Sequence, residues 1–155
     1  MIRSLRAMIP AAMAALVLCA APAHAELSMT ADATAVNFGQ ARAADLGLGF
    51  IERHPAAMAY ALRIVIQDTG SANWTLSLRA RAPDFMTSAA GAKPATDLLW
   101  RLDGSGAYEP ADILNQIVAT GAGDAVIDLD VLLNTNWTDQ PGIYTLGIEF
   151  TLDEE

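Results

Sequence analysis

Large apolar residues alternate with polar ones along several stretches of the chain, which is the period of strands that bury one face. In residues 60–67 the large apolar side chains fall on even positions, while Arg63 and Gln67 fall on the other face. A second run follows the turn at 68–73, and its apolar positions share one face: Trp74, Leu76, Leu78 and Ala80. Two such runs across a short turn with Gly, Asn and Asp predict an antiparallel hairpin.

The same alternation returns twice near the C-terminus. Residues 126–131 predict a strand whose inward positions are Ile127, Leu129 and Val131. Residues 144–152 predict one continuous strand with a single inward face: Tyr144, Leu146, Ile148, Phe150 and Leu152. Asp128 and Asp130 share the opposite face of the first strand, and we interpret them as the solubilising face of an edge strand.

Shorter stretches complete the predicted set of elements. Strands are predicted at 26–30, 35–38, 47–51, 97–102 and 116–119, although some of these stretches fit irregular chain equally well. Residues 111–116 hint at a short helix, with Pro110 in its first turn. Many short strands separated by dense turn chemistry predict a single all-β, immunoglobulin-like antiparallel β-sandwich of roughly seven to nine strands.

Residues 1–25 have the pattern of a secretory signal peptide. They start with the basic residues Arg3 and Arg6 and end in Ala23-His24-Ala25, a small-x-small cleavage site. The uninterrupted apolar run at 11–21 is shorter than the roughly 20 residues that a transmembrane helix needs. We therefore predict cleavage after Ala25 and no membrane insertion of the mature protein.

The predicted mature domain, residues 26–155, has no cysteine, because the single cysteine of the chain is Cys19. Its stability must therefore come from one hydrophobic core without disulfides. The chain has a formal net charge of −9, and a field of this sign disfavours nucleic acid and anionic membrane surfaces. We predict an exported domain, periplasmic or at the cell surface, with no nucleic-acid partner.

Few residues suggest chemistry. His54 is the one histidine after residue 25, which excludes a two-histidine zinc site and gives a serine–histidine–acid set little support. Asp128 and Asp130 lack the apolar pocket that glycosidase acids need. Loops 103–106 and 120–128 carry oxygens suited to calcium, but turn chemistry explains both. We therefore predict no catalytic residue, no cofactor and no metal ligand.

An aromatic residue in a polar loop is the candidate surface contact. Trp137 lies between Asn136 and Thr138, where an exposed indole would serve binding. Between the two roles, we favour packing of this indole as a lid over one end of the sandwich, with the surface contact as a speculation. The loop at 86–96, rich in Ala, Ser, Gly and Pro, is a second candidate contact.

Short motifs in the predicted strands carry a family resemblance. Val36-Asn37-Phe38-Gly39 precedes Asn73-Trp74-Thr75-Leu76, and Gly142-Ile143-Tyr144 leads into Phe150-Thr151-Leu152. This arrangement resembles the WxL-type surface domains of bacteria, which have an internal and a terminal Trp-x-Leu strand; here Phe150 stands in place of the terminal Trp. The resemblance implies an exported β-sandwich that associates non-covalently with the cell wall.

The predicted function is a non-catalytic, exported binding module whose partner is a cell-wall polymer, a matrix or another exported protein. The alternative is a structural subunit of a surface fibre or coat, since such subunits are completed by a strand from a neighbour. Alternating Leu27 and Met29 fit a donated strand, whereas the long strand at 144–152 favours a complete fold. An enzyme is the third and least supported hypothesis.

Overall fold

A computed structural model describes residues 26–52, 58–70, 73–88 and 91–155. The predicted signal peptide and His54 lie outside these ranges. One helix, α1, spans Ala43–Leu48, and a 3₁₀ turn spans Ala95–Asp97. The strands are β1 Leu27–Ala31, β2 Phe50–Glu52, β3 Leu62–Asp68, β4 Asn73–Ala80, β5 Met86–Thr87, β6 Leu98–Leu102, β7 Glu109–Pro110, β8 Gln116–Ala122, β9 Ala125–Asn134, β10 Tyr144–Thr145 and β11 Ile148–Glu154.

The strands form an immunoglobulin-like antiparallel sandwich, which confirms the predicted fold class. The long sheet has the order β1-β3-β9-β6-β7, and β2 also pairs with β9. The short sheet has the order β11-β4-β8, and β5 pairs with β10 in a separate ribbon. No helix in the described part of the chain has the length and apolar character needed to cross a membrane.

The hydrophobic core lies between the two sheets, where the alternating faces predicted from the sequence meet. The long sheet contributes Ile64, Ile66 and Leu129, and the short sheet contributes Trp74 and Leu76, all at most 3% exposed. The indole N–H of Trp74 donates to the carbonyl of Gly123 at 2.9 Å, so the one polar atom of this ring is satisfied.

The predicted hairpin between residues 60–67 and the run from Trp74 to Ala80 is wrong. β3 pairs with β1 and β9 in the long sheet, whereas β4 pairs with β8 and β11 in the short sheet. The chain therefore crosses from one sheet to the other between these strands. The alternating pattern shows only that one face of each strand is buried. Two strands bury these faces equally well when they are neighbours in one sheet and when they lie in opposite sheets across the core.

Asp128 and Asp130 do not lie on an edge strand, so that prediction is wrong. Their strand, β9, pairs with β3 and β2 along one side and with β6 along the other. Asp130 is 2% exposed. A central strand carries carboxylates here because each has an arginine opposite it on a neighbouring strand, as described below.

The long strand predicted at 144–152 is divided. Tyr144 and Thr145 form β10 with β5, and β11 begins only at Ile148. Leu146 and Gly147 lie between the two strands, although Leu146 still packs half-buried against the core. The inward face is therefore continuous while the hydrogen-bonded partner changes.

The predicted helix at 111–116 and the predicted strand at 35–38 are absent from the structure. The side chain of Gln116 accepts from the backbone N–H of Asp112 and donates to the carbonyl of Pro110, which fixes a turn instead of a helix. The helix that does form, α1, begins where the backbone N–H of Arg42 donates to the carboxylate of Asp45 at 2.9 Å, and it ends at Gly49 with φ of 85°. Three of the other short strands fall close to β1, β6 and β8, whereas the strand predicted at 47–51 begins inside α1 and only its last two residues lie in β2.

Candidate functional site

β1 is an edge strand of the long sheet. It pairs antiparallel with β3 over five residues, from Leu27 opposite Asp68 to Ala31 opposite Ile64. Its inward side chains, Leu27 and Met29, are only half-buried against the core. β1 therefore joins the sandwich through one ladder of hydrogen bonds and little apolar burial.

β11 is the corresponding edge of the short sheet and pairs only with β4 among the described strands. Its inward side chains Ile148, Phe150 and Leu152 stay half-buried, while Leu76 and Leu78 on the paired strand are at most 4% exposed. β1 and β11 approach each other. Both edge strands therefore carry inward side chains that are only half-buried.

A segment between β1 and α1 adds apolar cover without joining a sheet. Val36 and Phe38 pack half-buried against the core, yet residues 32–42 contain no helix or strand. In this segment the side chain of Asn37 accepts from the backbone N–H of Gly39 at 2.8 Å, which is a local turn. β1 is thus connected to the rest of the domain by irregular chain.

Two arginine–aspartate pairs cross the outer face of the long sheet. Arg63 lies opposite Asp128 and donates through Nε and Nη2 to both carboxylate oxygens at 2.7 Å. Arg101 lies opposite Asp130, and its guanidinium reaches Oδ2 at 3.0 Å. Such bidentate or charge-assisted contacts fix the strand register and neutralise the carboxylates.

A tyrosine ring packs against each guanidinium. The Cζ atoms of Arg63 and Arg101 lie 4.3 Å from the ring centres of Tyr60 and Tyr108, respectively. Tyr108 also donates its hydroxyl to Glu52 at 2.8 Å. Burial raises the pKa of Tyr108, and the hydrogen bond to Glu52 raises it further. On this face each of the two guanidiniums is therefore paired with a carboxylate and packed against a tyrosine ring.

The electrostatics of Asp128 argue against a catalytic acid. Its hydrogen bond from Arg63 lowers the pKa of Asp128 below the ordinary value. A general acid needs the opposite shift, produced by an apolar pocket. The Arg63–Asp128 pair is therefore structural.

The loop oxygens considered for calcium are used internally. Asp124 accepts from the backbone N–H of Asp68 at 2.9 Å, and Asp68 accepts from Gly70 and Gly123. These bonds tie the turn before β9 to the end of β3. Within the described ranges, no three His, Cys, Asp or Glu side chains gather in a group suited to a metal ion.

Trp137 lies at the tip of a tight turn and is 70% exposed. Asp139 donates its backbone N–H to the carbonyl of Asn136, and the carboxylate of Asp139 accepts from the N–H of Asn136, both at 3.1 Å. The side chain of Asn136 also accepts from the N–H and hydroxyl of Thr138. The indole does not pack as a lid over the sandwich; its role as a surface contact stays a prediction.

Lys93 lies in the loop at 86–96 and holds this loop to the turn, and no motif in the sequence predicts this contact. Its ammonium donates to Asp97 and Asp139 at 2.9 Å each, and its side chain is 4% exposed. Burial alone lowers the pKa of Lys93, but the hydrogen bonds to the two carboxylates outweigh it and raise the pKa. Charge pairing between residues 46 positions apart leaves no local pattern to detect.

Comparisons with known proteins give a likeness of fold. No family model and no curated protein matches the chain. A chain from a solved structure of a chaperone-usher pilus, a structure concerned with rod uncoiling, is similar with a TM-score of 0.50 and 13% identity. The match covers 97% of this chain and 100% of that chain. At this identity, the likeness supports the sandwich and carries no residue-level role.

Proposed function

We propose that this chain is a non-catalytic structural subunit of an exported surface fibre, joined to neighbouring copies by exchange of β1. The observation that carries the proposal is the β1 edge, a short terminal strand held by one partner. The likeness to a chain of a chaperone-usher pilus supports the choice of a fibre over a cell-wall binding module. Association with the cell wall, implied by the WxL resemblance, stays a hypothesis.

Exchange of β1 needs no contact that the fold does not already contain. The pairing of Leu27–Ala31 with β3 can be made by β1 of another copy in the same register. Each copy then gives one strand and receives one strand. Head-to-tail exchange of this kind builds an open chain of subunits instead of a closed dimer.

The connector between β1 and α1 is long enough for this exchange. Residues 32–42 lie outside helices and strands. At about 3.3 Å per extended residue they span roughly 36 Å, more than the width of a small domain. In the extended connector Val36 and Phe38 would leave the core of their own copy, a cost that the contacts between copies must offset.

A disulfide across the β1–β3 ladder distinguishes the two arrangements. Ser28 lies opposite Gln67, with Ser28 half-buried and Gln67 exposed. Paired residues of antiparallel strands lie about 5 Å apart, a separation that a disulfide bridges. We expect the exported Ser28→Cys/Gln67→Cys double variant to give a ladder of covalent multimers on a non-reducing gel.

Each single-cysteine variant is the matched control, since one cysteine per chain gives covalent dimers at most. Electron microscopy of the same surface fraction should show fibres in the wild-type protein. A double variant that forms its disulfide completely and runs only as a monomer, in both surface and soluble fractions, contradicts exchange of β1.

A further inference from the structure

Trp137 differs from the other two tryptophans of the chain in its surroundings. Trp74 and Trp100 are 3% and 4% exposed, whereas Trp137 is 70% exposed. An exposed indole presents a large apolar ring and a hydrogen-bond donor to solvent, a combination that favours contact with amphipathic ligands. The fold gains little from this ring where it lies.

The turn that carries Trp137 is organised before any ligand arrives. Asn136 and Asp139 are joined by two hydrogen bonds between the ends of the turn. The carboxylate of Asp139 is anchored in turn by the buried ammonium of Lys93. Binding to a pre-ordered surface avoids much of the entropy cost of ordering a loop.

An open cleft of about 470 Å³ lies beside this turn, and Trp137 is flanked in sequence by two of its lining residues, Asn136 and Thr138. This volume falls within the range of small-molecule sites, roughly 300–1,000 Å³. The lining presents amide, hydroxyl and carboxylate groups. The polar side chains among the lining residues are Lys93, Asp97, Asn136, Thr138, Asp139, Gln140 and Tyr144.

The charge of the cleft selects among polar ligands. Lys93 supplies one positive charge and already pairs with both Asp97 and Asp139, so negative charge remains in excess. Anionic ligands are therefore disfavoured, while neutral hydroxyl and amide groups find both donors and acceptors.

We propose that the cleft beside Trp137 binds a neutral saccharide, with the indole stacking against the apolar face of a sugar ring. The amide of Asn136 or Gln140 and the carboxylates of the lining meet the sugar hydroxyls. The site is open, so one sugar unit fits in the cleft while the next extends past Trp137. Because the turn lies apart from β1, the proposal does not depend on fibre assembly.

The test uses three neutral trisaccharides, maltotriose, cellotriose and chitotriose, with trigalacturonic acid as the anionic comparison. Trp137 reports directly, since acrylamide quenches an exposed indole far more than the two buried ones. We expect at least one neutral trisaccharide to protect the fluorescence from quenching in the millimolar range, which is typical of open sites. The anionic trimer should protect less.

Titration calorimetry on variants assigns the site. Trp137→Ala should weaken binding at least about tenfold, and Trp137→Phe, which keeps an aromatic face, should restore part of it. Leu114→Ala is the matched control, because Leu114 is also 70% exposed and, unlike Trp137, has no sequence neighbour that lines the cleft. The proposal is overturned if none of the neutral trimers binds the wild-type chain, if Trp137→Ala binds as tightly, or if trigalacturonic acid binds best.

Discussion

A methyl group added at Gly121 would collide with the buried ring of Trp74. The Cβ of an alanine there would lie 2.6 Å from Cζ2 and 2.9 Å from Cη2 of the indole. Carbon atoms in ordinary contact lie about 3.5–4.0 Å apart, so the ring must move by about 1 Å. Trp74 is 3% exposed and has its N–H bound to Gly123 at 2.9 Å, which leaves little room for that movement.

The cost of Gly121→Ala follows from these contacts. Inserting a methyl group into a packed core costs about 1–3 kcal/mol, and loss of the indole hydrogen bond adds about 1 kcal/mol. We therefore expect a loss of about 2–4 kcal/mol in the free energy of unfolding. With a urea dependence of about 1–3 kcal/mol per molar, the unfolding midpoint should fall by roughly 1–4 M.

Urea unfolding, followed by circular dichroism and tryptophan fluorescence, measures this change. Gly47→Ala is the control, because its Cβ meets nothing within 4 Å and Gly47 lies in α1, where alanine is favoured by up to about 1 kcal/mol. In a Trp74→Phe background, the smaller ring should reduce the cost of Gly121→Ala, a coupling that a double-mutant cycle detects. A Gly121→Ala midpoint equal to that of the wild type would refute the reasoning.

Three further outcomes are expected in the same urea assay. Leu76→Ala, at a position 0% exposed, should lower the free energy of unfolding by about 2–5 kcal/mol. Leu114→Ala, at a position 70% exposed, should stay within about 0.5 kcal/mol of wild type. Equal effects of the two variants would contradict the assignment of the core. Lys93→Met should cost about 1–3 kcal/mol, because it leaves two carboxylates without their shared cation, and an unchanged midpoint would argue against that pairing. Asp128→Asn should lower the midpoint at pH 7. Arg63 depresses the pKa of Asp128 in the folded protein, so ionised Asp128 stabilises the fold above its unfolded pKa of about 3.9, and this stabilisation is lost as pH falls through the lower folded pKa. The difference in urea midpoint between wild type and Asp128→Asn should therefore disappear in acid. A difference that does not change with pH would count against the ion pair.

The sequence predicted which face of each strand is buried better than it predicted which strands pair with each other. Ile64, Trp74 and Leu129 all lie on the buried faces that the alternation indicated. The pairing of β3 with β9 depends on residues some sixty positions away, and alternation holds no information about which strand lies beside it. For this reason the faces are correct while the hairpin is wrong.

The candidate site was predictable only in part, for a similar reason. The position of Trp137 among polar loop residues allowed either an exposed contact or a lid over the sandwich, and the favoured prediction, the lid, is wrong because the indole is exposed. The anchor of its turn, Lys93, lies in a stretch that was only identified as a loop. A buried ion pair between two loops depends on tertiary placement, which neither composition nor periodicity encodes.

β9 determines the order in which this sandwich can form. It is the shared partner of β2, β3 and β6, yet it follows all three in the chain. Until Ala125–Asn134 has emerged, β2, β3 and β6 lack the strand β9, with which each of them pairs. Pairing with β9 is also slow, because it closes long loops of chain. As the chain emerges during synthesis, it therefore passes through a period in which apolar strands are present without their central partner, and aggregation competes with folding at that stage. The rate of folding should depend on β9 more than on any other strand.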